Sequence, residues 1–588
     1  MMNIEVGYFV IIIYTNLSKV AQASTVENDS NLLHSIFIIR YSLFILLYHL
    51  NVTYRKNIFC MLRKHFWEKK MYLVNASEMQ KMDRLTIESF GIPGMVLMEN
   101  AGRGATQFFL DQFEDAGNKK IGVVAGRGNN GGDGFVIARY LAQKKMRVTV
   151  YLLSESHMVK GDAAANLNLL RPLKVPVIEM PDQESLSRHK TAMRHEAIWI
   201  DAILGTGLKS DVKGFFKDVI DFINASKKPV FAVDIPSGLN SDTGQPCGTC
   251  IRADATATFA FAKTGHILFP GADYTGHLKI VDIGIPPYIA DDVRPMQHLL
   301  TLDLIRAVFQ PRPSDAHKGH TGHLLVIAGS PGKTGAAAMT AMSAMRAGAG
   351  LVTLGVPSSL NPILEAHVTE AMTDPLPEVR DGILGDTSFT RIMELLSDKN
   401  CITLGPGMGT APETKTLVHR ILQKSTKPMV IDADGLNSLV GHTEILKNLN
   451  IPVIITPHPG EMARLSNTTA ADVQNDRIHC AREFAKNFNI HVVLKGAGTV
   501  VAHPDGRAFI NPTGNPGMAS GGMGDVLTGI IAGLIAQGHA PELAAHAGVY
   551  IHGAAADILA NTKGPFGYLA TEVQNAIPET IKKIVNSV

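Results

Sequence analysis

The sequence has little cysteine and almost no excess of charge. Five cysteines among 588 residues are too few for a disulfide framework and suit a reducing compartment, so we expect a cytoplasmic protein. The 55 basic and 53 acidic residues leave a net charge of +2, without the basic excess typical of nucleic-acid binders. Cys247 and Cys250 form one CxxC, but no second ligand pair is spaced for zinc. These absences argue against a disulfide scaffold and a nucleic-acid partner.

Apolar residues, by contrast, are plentiful. Hydrophobic residues make up 45% of the chain and charged residues 18%, which indicates a folded protein with buried cores rather than a disordered one. Length alone suggests about four domains, or two large ones.

Residues 1–70 differ from the rest of the chain. The apolar run 35–50 spans 16 residues and contains Arg40, whereas a membrane-spanning helix needs about 20 apolar residues. The first residues, MMNIE, lack the basic region of a signal peptide. A membrane anchor remains an alternative. We favour an upstream extension outside the fold, with Met71 as the native start and no membrane partner.

From residue 120 onward, short apolar runs alternate with helical tracts such as 135–144 and 214–225. The runs are continuous, as in strands that are buried on both faces of a parallel sheet. Candidate strands of a first series are 121–125, 147–153, 197–201, 229–234, 256–261 and 278–283. Those of a second series are 323–328, 351–355, 401–404, 429–432, 452–456 and 491–495, with a hairpin of 498–502 and 507–511. This order predicts an α/β protein with doubly wound sheets.

The segment 284–294, GIPPYIADDVR, separates the two series and is interpreted as a linker, because it contains proline and charge. We therefore predict an extension at 1–70 and two domains, 71–290 and 291–588.

In the first series, the glycine-rich loop 126–134, GRGNNGGDG, follows a strand and opens a helix. Glycines let the backbone approach a phosphate, and the helix N-terminus offers N–H donors. The literal GxGxxG, with Glu155 near the end of the next strand, also fits a dehydrogenase. An ordinary tight turn is the third interpretation.

Two further strands of this series end in polar residues. Asp201 and Asp234 follow their strands directly, with Ser237 close behind, and the carboxyl ends of such strands meet at one crevice. Oxygen groups of Asn130, Asp201 and Ser237 suit a hard cation there. Helix capping by each residue singly is the alternative.

These motifs resemble the NAD(P)H-hydrate epimerases over residues 71–287: MVLMENAG (95–102), GRGNNGGDG (126–134), DAILGTG (201–207), DIPSGLNSDTG (234–244) and FAFAKTGH (259–266). The resemblance implies a Rossmann-like fold that interconverts the R and S hydrates of NADH and NADPH. It implies a potassium ion at Asn130, Asp201 and Ser237. It implies substrate contacts by Asn129, Asn130, Gly131, Gly132, Asp133, Gly205, Thr206, Gly207, Leu208, Lys209, Ser210, Asp211 and Asp234. Asp234 is our candidate for the proton transfers of epimerisation.

In the second series, the tract 514–529, GNPGMASGGMGDVLTG, places Asp525 at the start of a predicted helix, after several glycines. Backbone N–H groups there can hold a phosphoryl group while Asp525 takes a hydroxyl proton. The alternative is a first-turn carboxylate that interacts only with the helix dipole. The tract 328–335 is not a P-loop, because Ile327 stands where the motif needs glycine.

This half resembles the ribokinase-like superfamily through Gly522-Met523-Gly524-Asp525, and more closely the ADP-dependent NAD(P)H-hydrate dehydratases over residues 299–588. The matching tracts are HKGHTGHLLVIAGS (317–330), GPGMG (405–409), DADGLN (432–437), TPHPGEM (456–462), VVLKGAGT (492–499) and NPGMASGGMGDVLTG (515–529). The resemblance implies ADP contacts by Lys495, Gly496, Ala497, Gly498, Thr499 and Gly524. It implies hydrate contacts by Ala336, Gly407, His458 and Asp525. It also implies Mg²⁺ and a homo-oligomer, a tetramer.

The expected chemistry follows from leaving groups. Hydroxide leaves poorly, whereas a phosphate ester leaves easily, so Asp525 would deprotonate the ring hydroxyl for attack on the β-phosphoryl of ADP. Loss of phosphate would restore the dihydronicotinamide and leave AMP, while Mg²⁺ neutralises charge on the phosphates. Two rivals stay open: a ribokinase-type small-molecule kinase, and a first half that only binds.

Overall fold

A computed structural model describes residues 71–208 and 210–586. The extension or membrane anchor considered for residues 1–70, and the substrate contact expected of Lys209, lie outside the described residues. Within those ranges, every helix is too short or too polar to cross a bilayer.

The first sheet has seven parallel strands among the described residues, and the predicted strands of the first series all belong to it. In spatial order they are Val177–Glu179, Arg147–Leu152, Lys120–Ala125, Ile198–Ala202, Val230–Val233, Ala255–Phe259 and His277–Val281. Almost every residue of the central strands is buried, which is why their sequences are continuous apolar runs. The doubly wound sheet expected for this half is confirmed.

Helices cover both faces of this sheet, with one core around Phe109 and Phe135 and another around Trp199. The helices of this half are Ala76–Arg84, Gly94–Gln112, Asn129–Gln143, Gly161–Asn168, Gln183–Met193 and Gly214–Ala225, with shorter ones at Thr264–Ile267, Gly271–Thr275 and Pro287–Val293.

The second sheet has twelve strands within the described ranges, of which the first seven run parallel and carry the second predicted series. In spatial order they are Met372–Leu376, Leu351–Pro357, His323–Ile327, Cys401–Leu404, Met429–Ile431, Val453–Ile455, His491–Leu494, Val500–Ala502, Ala508–Ile510, Gln297–Leu299, Met71–Val74 and Ala262–Lys263. The predicted hairpin is present as Val500–Ala502 and Ala508–Ile510, which pair antiparallel.

The helices of this half are Leu302–Arg306, Thr334–Arg346, Asn361–His367, Phe389–Leu396, Pro412–Lys424, Asp434–Asn437, Pro459–Ser466, Ala470–Asn475, Arg477–Phe488, Met523–Ala536, Pro541–Thr562 and Ala570–Asn586. Helix Thr334–Arg346 packs closely on helix Met523–Ala536. A Cβ at Gly529 would lie only 2.3 Å from the Thr340 carbonyl oxygen, so a larger residue at position 529 would keep the helices apart. The small glycine thus allows the two helices to approach closely.

Strands from the first half of the chain extend the second sheet. Met71–Val74 pairs antiparallel with Gln297–Leu299 and parallel with Ala262–Lys263, and Gln297–Leu299 pairs with Ala508–Ile510. Leu73 is fully buried in the core beneath this sheet. The sequence did not predict this sharing, because four-residue and two-residue strands carry too little periodicity to be recognised.

The segment 284–294, which we interpret as a linker, is helical over most of its length. It contains helix Pro287–Val293, whose Ile289 and Ala290 pack against Met79 and Met82. Proline at the first helical position is compatible with a helix, since that N–H has no intrahelical partner anyway.

We expect Leu73→Ala to destabilise the protein by about 2–5 kcal/mol, the cost of truncating a buried leucine. The measurement is chemical denaturation of the full chain. Leu169→Ala is the matched control, because Leu169 is 42% exposed and should change stability by about 0.5 kcal/mol or less. Equal effects of the two variants would show that the shared strand contributes no stability.

Candidate functional site

The glycine-rich loop of the first half forms the start of a helix. Helix Asn129–Gln143 begins six residues earlier than the tract predicted from 135, so that Asn129–Asp133 fill its first turns. A Cβ at Gly131 would lie 1.9 Å from the Gly126 carbonyl oxygen, so no larger residue fits this turn. The motif therefore brings backbone N–H groups and two asparagines to one end of the sheet.

Asp133 and Asp234 face a buried lysine. The Lys263 ammonium, which is only 1% exposed, forms an ion pair with Asp234 Oδ1 and donates to Thr258 Oγ1 over 2.8 Å. Burial, reinforced by the charges of Asp234 and Asp83, raises the pKa of Asp133 well above its usual value, which favours the protonated carboxyl group. Burial also raises the pKa of Asp83 to about 6. We call Asp83, Asp133, Asp234 and Lys263 the first cluster.

Asp234 is held in a strained backbone conformation. Its φ of +64° lies in the left-handed region, which few non-glycine residues adopt. Such strain persists only where surrounding contacts fix it, and here it turns the Asp234 carboxyl onto Lys263 and Thr258.

The oxygen groups predicted to hold a cation do converge. Ser237 Oγ donates to Asp201 Oδ1 over 2.6 Å, and Ser237 N donates to Asp201 Oδ2 over 2.7 Å. Asn130 Nδ2 donates to the Leu204 carbonyl oxygen, while Asn130 Oδ1 is buried without a hydrogen-bond partner. Burial raises the pKa of Asp201 to about 6, against the hydrogen bonds from Ser237 and Ile203. A buried acceptor without a partner, next to a desolvated carboxyl group, fits a bound cation.

The loop after Asp201 lies beside the predicted cation group at one residue and away from it at another. A Cβ at Gly205 would lie 3.4 Å from Asn130 Cβ, which puts Gly205 at the predicted cation group. Leu208 packs instead against the core around Trp199. The remaining predicted contacts of this half are the partly buried Thr206, the exposed Asn129, Gly207, Ser210 and Asp211, and the buried Gly132. The substrate contacts expected of these residues stay predictions.

In the second half, the strand ends carry a network of opposite charges. Lys495 Nζ donates to Asp432 Oδ1 over 2.8 Å and lies 3.9 Å from Glu461 Oε2. Thr528 Oγ1 donates to the other oxygen of Asp432 over 2.8 Å. Burial lowers the pKa of Lys495, but the surrounding carboxylates outweigh it and the pKa is raised, so Lys495 is a fixed cation. With Asp525, these residues form what we call the second cluster: Asp432, Glu461, Lys495 and Asp525.

Asp525 lies in the first turn of helix Met523–Ala536, and this helix begins directly after the left-handed Gly522. Burial and the neighbouring charge of Asp432 raise the pKa of Asp525 to about 7, although Lys495 opposes the shift. A Cβ at Gly524 would lie 3.3 Å from Lys495 Nζ, so the glycine lets the helix start approach the lysine. A carboxyl group with a pKa near neutrality can exchange protons with a substrate at physiological pH.

The loop Lys495–Thr499 is supported from beneath by Arg477. The Arg477 guanidinium is buried and donates to the carbonyl oxygens of Ala497 and Leu494. Gly496 and Gly498 both adopt positive φ, and Thr499 Oγ1 donates to the Gly496 carbonyl oxygen. Sequence reasoning missed Arg477, because a single arginine on a helix gives no signal of burial.

The predicted hydrate contacts have different environments. A Cβ at Gly407 would lie 3.2 Å from Ala336 Cβ, so these two residues meet. His458 caps helix Pro459–Ser466: its Nδ1 accepts from Gly460 N over 3.0 Å, which leaves Nε2 as the protonated nitrogen. Substrate contact by His458 stays a prediction, in addition to the capping role that the structure shows.

Sequence reasoning also missed two members of the first cluster. Lys263 lies on the short strand Ala262–Lys263, and Asp83 lies in the last turn of helix Ala76–Arg84. The motif FAFAKTGH contains Lys263, but nothing in its spacing indicates an ion pair with Asp234.

Comparison with known proteins gives matches to both halves. A family model described as "YjeF-related protein N-terminus" matches residues 94–265, and one described as "NAD(P)H-hydrate dehydratase" matches residues 324–579. The bifunctional NAD(P)H-hydrate repair enzyme Nnr of Moorella thermoacetica is 42% identical over 519 residues, which cover 88% of this chain and 98% of that protein. The Escherichia coli enzyme of the same name is 36% identical, covering 87% of this chain and 93% of its own.

A solved structure matches the second half. It is the ADP/ATP-dependent NAD(P)H-hydrate dehydratase from Bacillus subtilis, co-crystallized with ATP/Mg²⁺. It is 31% identical, covers 49% of this chain and 98% of its own, and gives a TM-score of 0.42.

Proposed function

The chain belongs to the bifunctional NAD(P)H-hydrate repair enzymes, and from this membership we propose that its first cluster epimerises hydrated NADH and NADPH while its second cluster dehydrates them. We assign epimerisation to residues 71–290 and dehydration to residues 291–588. Pairing the two activities lets an enzyme that dehydrates only the S hydrate recover the R hydrate as well.

Epimerisation inverts the carbon that carries the hydroxyl group. The bond from this carbon to oxygen breaks and re-forms on the opposite face, which needs one proton donor and one proton acceptor. Asp133, whose pKa is raised by burial, can give a proton to the departing oxygen. Asp234, paired with Lys263, can take a proton from the returning water. The predicted substrate contacts are Asn129–Asp133, 205–211 and Asp234.

We assign a potassium ion to Asn130, Asp201 and Ser237. Support comes from Asn130 Oδ1, a buried acceptor without a partner, and from the desolvated Asp201 carboxyl group. The ion would supply a fixed positive charge beside the proposed site for the phosphates of the dinucleotide.

Removing the Asn130 side-chain oxygen should weaken activation by potassium. We expect Asn130→Ala to raise the K⁺ concentration for half-maximal epimerisation at least on the order of tenfold, as for loss of a supporting group at a metal site. Rates are measured against KCl at constant ionic strength. The matched control is the neighbouring, exposed Asn129→Ala, which should keep the K⁺ dependence. Unchanged K⁺ dependence in Asn130→Ala would contradict the assignment.

Dehydration is proposed to pass through a phosphate ester. Asp525 takes the proton of the ring hydroxyl, the freed oxygen attacks the β-phosphorus of ADP, and AMP leaves. Phosphate then departs with the carbon–oxygen electrons, and a proton lost from the neighbouring ring carbon leaves the restored double bond. The observation that carries this proposal is the Asp525 carboxyl group, with a pKa of about 7, beside the fixed cation Lys495.

ADP is assigned to the loop Lys495–Thr499 and to Gly524, and the hydrate to Ala336, Gly407, His458 and Asp525. Support comes from the positive charge of Lys495 and from the glycine turns that Arg477 holds. The carboxylates of the second cluster offer the oxygen ligands that Mg²⁺ prefers, and the ion would neutralise charge on the phosphates. A cytoplasmic location and a homo-oligomer, a tetramer, remain part of the proposal.

The epimerase proposal has a direct test. The full chain is mixed with the R hydrate of NADPH without nucleotide, and the S hydrate is followed by chromatography. Equilibration of the two epimers supports an active first cluster; no change in the ratio would favour a first half that only binds.

A further inference from the structure

A buried group of histidines lies away from both clusters, at the other end of the hairpin that carries the loop Lys495–Thr499. His503 directly follows strand Val500–Ala502, while Glu542 and His546 are four residues apart on helix Pro541–Thr562. Residues at this spacing share one face of a helix. One ligand atom from each of His503, Glu542 and His546 lies within 4.8 Å of the others. We call this group the histidine site.

The ring nitrogens of the histidine site already face each other. His503 Nε2 lies 2.8 Å from His546 Nε2, so one of these nitrogens carries a proton and the other accepts it. Two nitrogens bound at 2.0–2.1 Å to a tetrahedral zinc ion stand about 3.3 Å apart. A metal ion could therefore replace the shared proton after the rings separate by roughly half an ångström.

Both histidines are almost completely buried, each only 1% exposed. Burial, with the neighbouring histidines and Arg507, lowers the pKa of His503 and of His546 well below the usual value. A lowered pKa favours the neutral imidazole, which has the free lone pair that a metal ligand needs.

The surrounding residues resemble the outer shell of a metal site. His503 Nδ1 lies 2.7 Å from His491 Nδ1, which fixes the orientation of the His503 ring. Arg507 donates to both oxygens of Glu542, over 2.8 and 3.0 Å, and is itself paired with Asp505. A carboxylate has about four lone-pair positions, so Glu542 keeps two for a cation. Metal ligands are commonly oriented by such second partners.

We propose that His503, His546 and Glu542 bind a divalent transition-metal ion of the Zn²⁺ class. Two imidazoles and one carboxylate form a ligand set that zinc takes in proteins, and imidazole favours Zn²⁺ over Mg²⁺. The ion fastens the hairpin, and with it the loop Lys495–Thr499, to helix Pro541–Thr562. The site is structural and independent of the reactions assigned to the two clusters.

The test is titration of the tag-free full chain, stripped with a chelator, with Co²⁺ as the visible probe and Zn²⁺ as competitor. We expect one equivalent of Co²⁺ to give the absorption of a tetrahedral centre, Zn²⁺ to displace it, and Zn²⁺ to raise the Tm. His503→Ala and His546→Ala should abolish the signal. His491→Ala should weaken binding on the order of 10- to 100-fold.

Two further variants keep the result interpretable. His317 and His320 stack their rings at 3.6 Å on the surface and could bind metal adventitiously, so His320→Ala is the matched control and should keep the signal. Glu542→Gln preserves the size of the side chain and should weaken binding even if a histidine variant fails to fold. No stoichiometric binding to the wild type, or binding that Glu542→Gln and both histidine variants retain, would overturn the proposal.

Discussion

Asp525→Asn is expected to lower ADP-dependent dehydration on the order of 10²- to 10⁴-fold, the usual contribution of a general base, while epimerisation continues at the wild-type rate. The reason is local: asparagine fits the same helix turn but cannot accept the hydroxyl proton. The measurement pairs dihydronicotinamide absorbance with epimer chromatography on the same preparation.

The pH profile separates a base from a structural carboxylate. Because the pKa of Asp525 is about 7, kcat/KM for dehydration should rise as pH increases through about 7, where the carboxylate form becomes dominant. Glu572→Gln is the matched control, since Glu572 is also an acidic first-turn residue but lies on helix Ala570–Asn586. It should keep both the rate and the profile. Full activity of Asp525→Asn would show that Asp525 is not the base and interacts only with the helix dipole.

Asp234→Asn should have the opposite selectivity. We expect epimerisation to fall on the order of 10²- to 10⁴-fold, because the amide cannot take a proton, while dehydration of the S hydrate is preserved. Removing the carboxylate also leaves the buried Lys263 charge without its ion-pair partner, which costs about 3–5 kcal/mol in buried pairs. Activity is therefore measured at a temperature at which the thermal denaturation curve shows that the variant is still folded.

Asp242→Asn is the matched control for this experiment. Asp242 lies in the same segment, DIPSGLNSDTG, but is exposed and accepts a hydrogen bond from Ala76 N rather than from Lys263. Its epimerase rate should remain close to that of the wild type. If Asp234→Asn and Asp242→Asn behaved alike, the proposed proton transfer at Asp234 would be wrong.

The strand ends were the most informative feature of the sequence. Parallel strands buried on both faces appear as continuous apolar runs, so 121–125 and 401–404 could be recognised without a structure. Because the carboxyl ends of such strands share one edge, the approach of Asp201 to Ser237 was predictable from their positions alone.

Contacts between distant segments could not be predicted in the same way. The pairing of Met71–Val74 with Gln297–Leu299 joins residues more than 200 positions apart and leaves no local pattern. Lys263, which forms the ion pair with Asp234, lies on a two-residue strand that pairs with the distant Met71–Val74. For the same reason, residues 71–290 expressed alone would lose a strand partner, so the full chain is the better material for tests of either activity.

The most direct test of the account is the nucleotide dependence of repair on a mixture of R and S hydrates of NADPH. With ADP present, we expect dihydronicotinamide absorbance to recover completely, with one AMP and one phosphate formed for each dinucleotide restored. In Asp234→Asn the fast recovery should stop when the S hydrate is exhausted. Recovery without any nucleotide, or consumption of nucleotide that leaves a stable phosphorylated product and no dihydronicotinamide, would contradict the account.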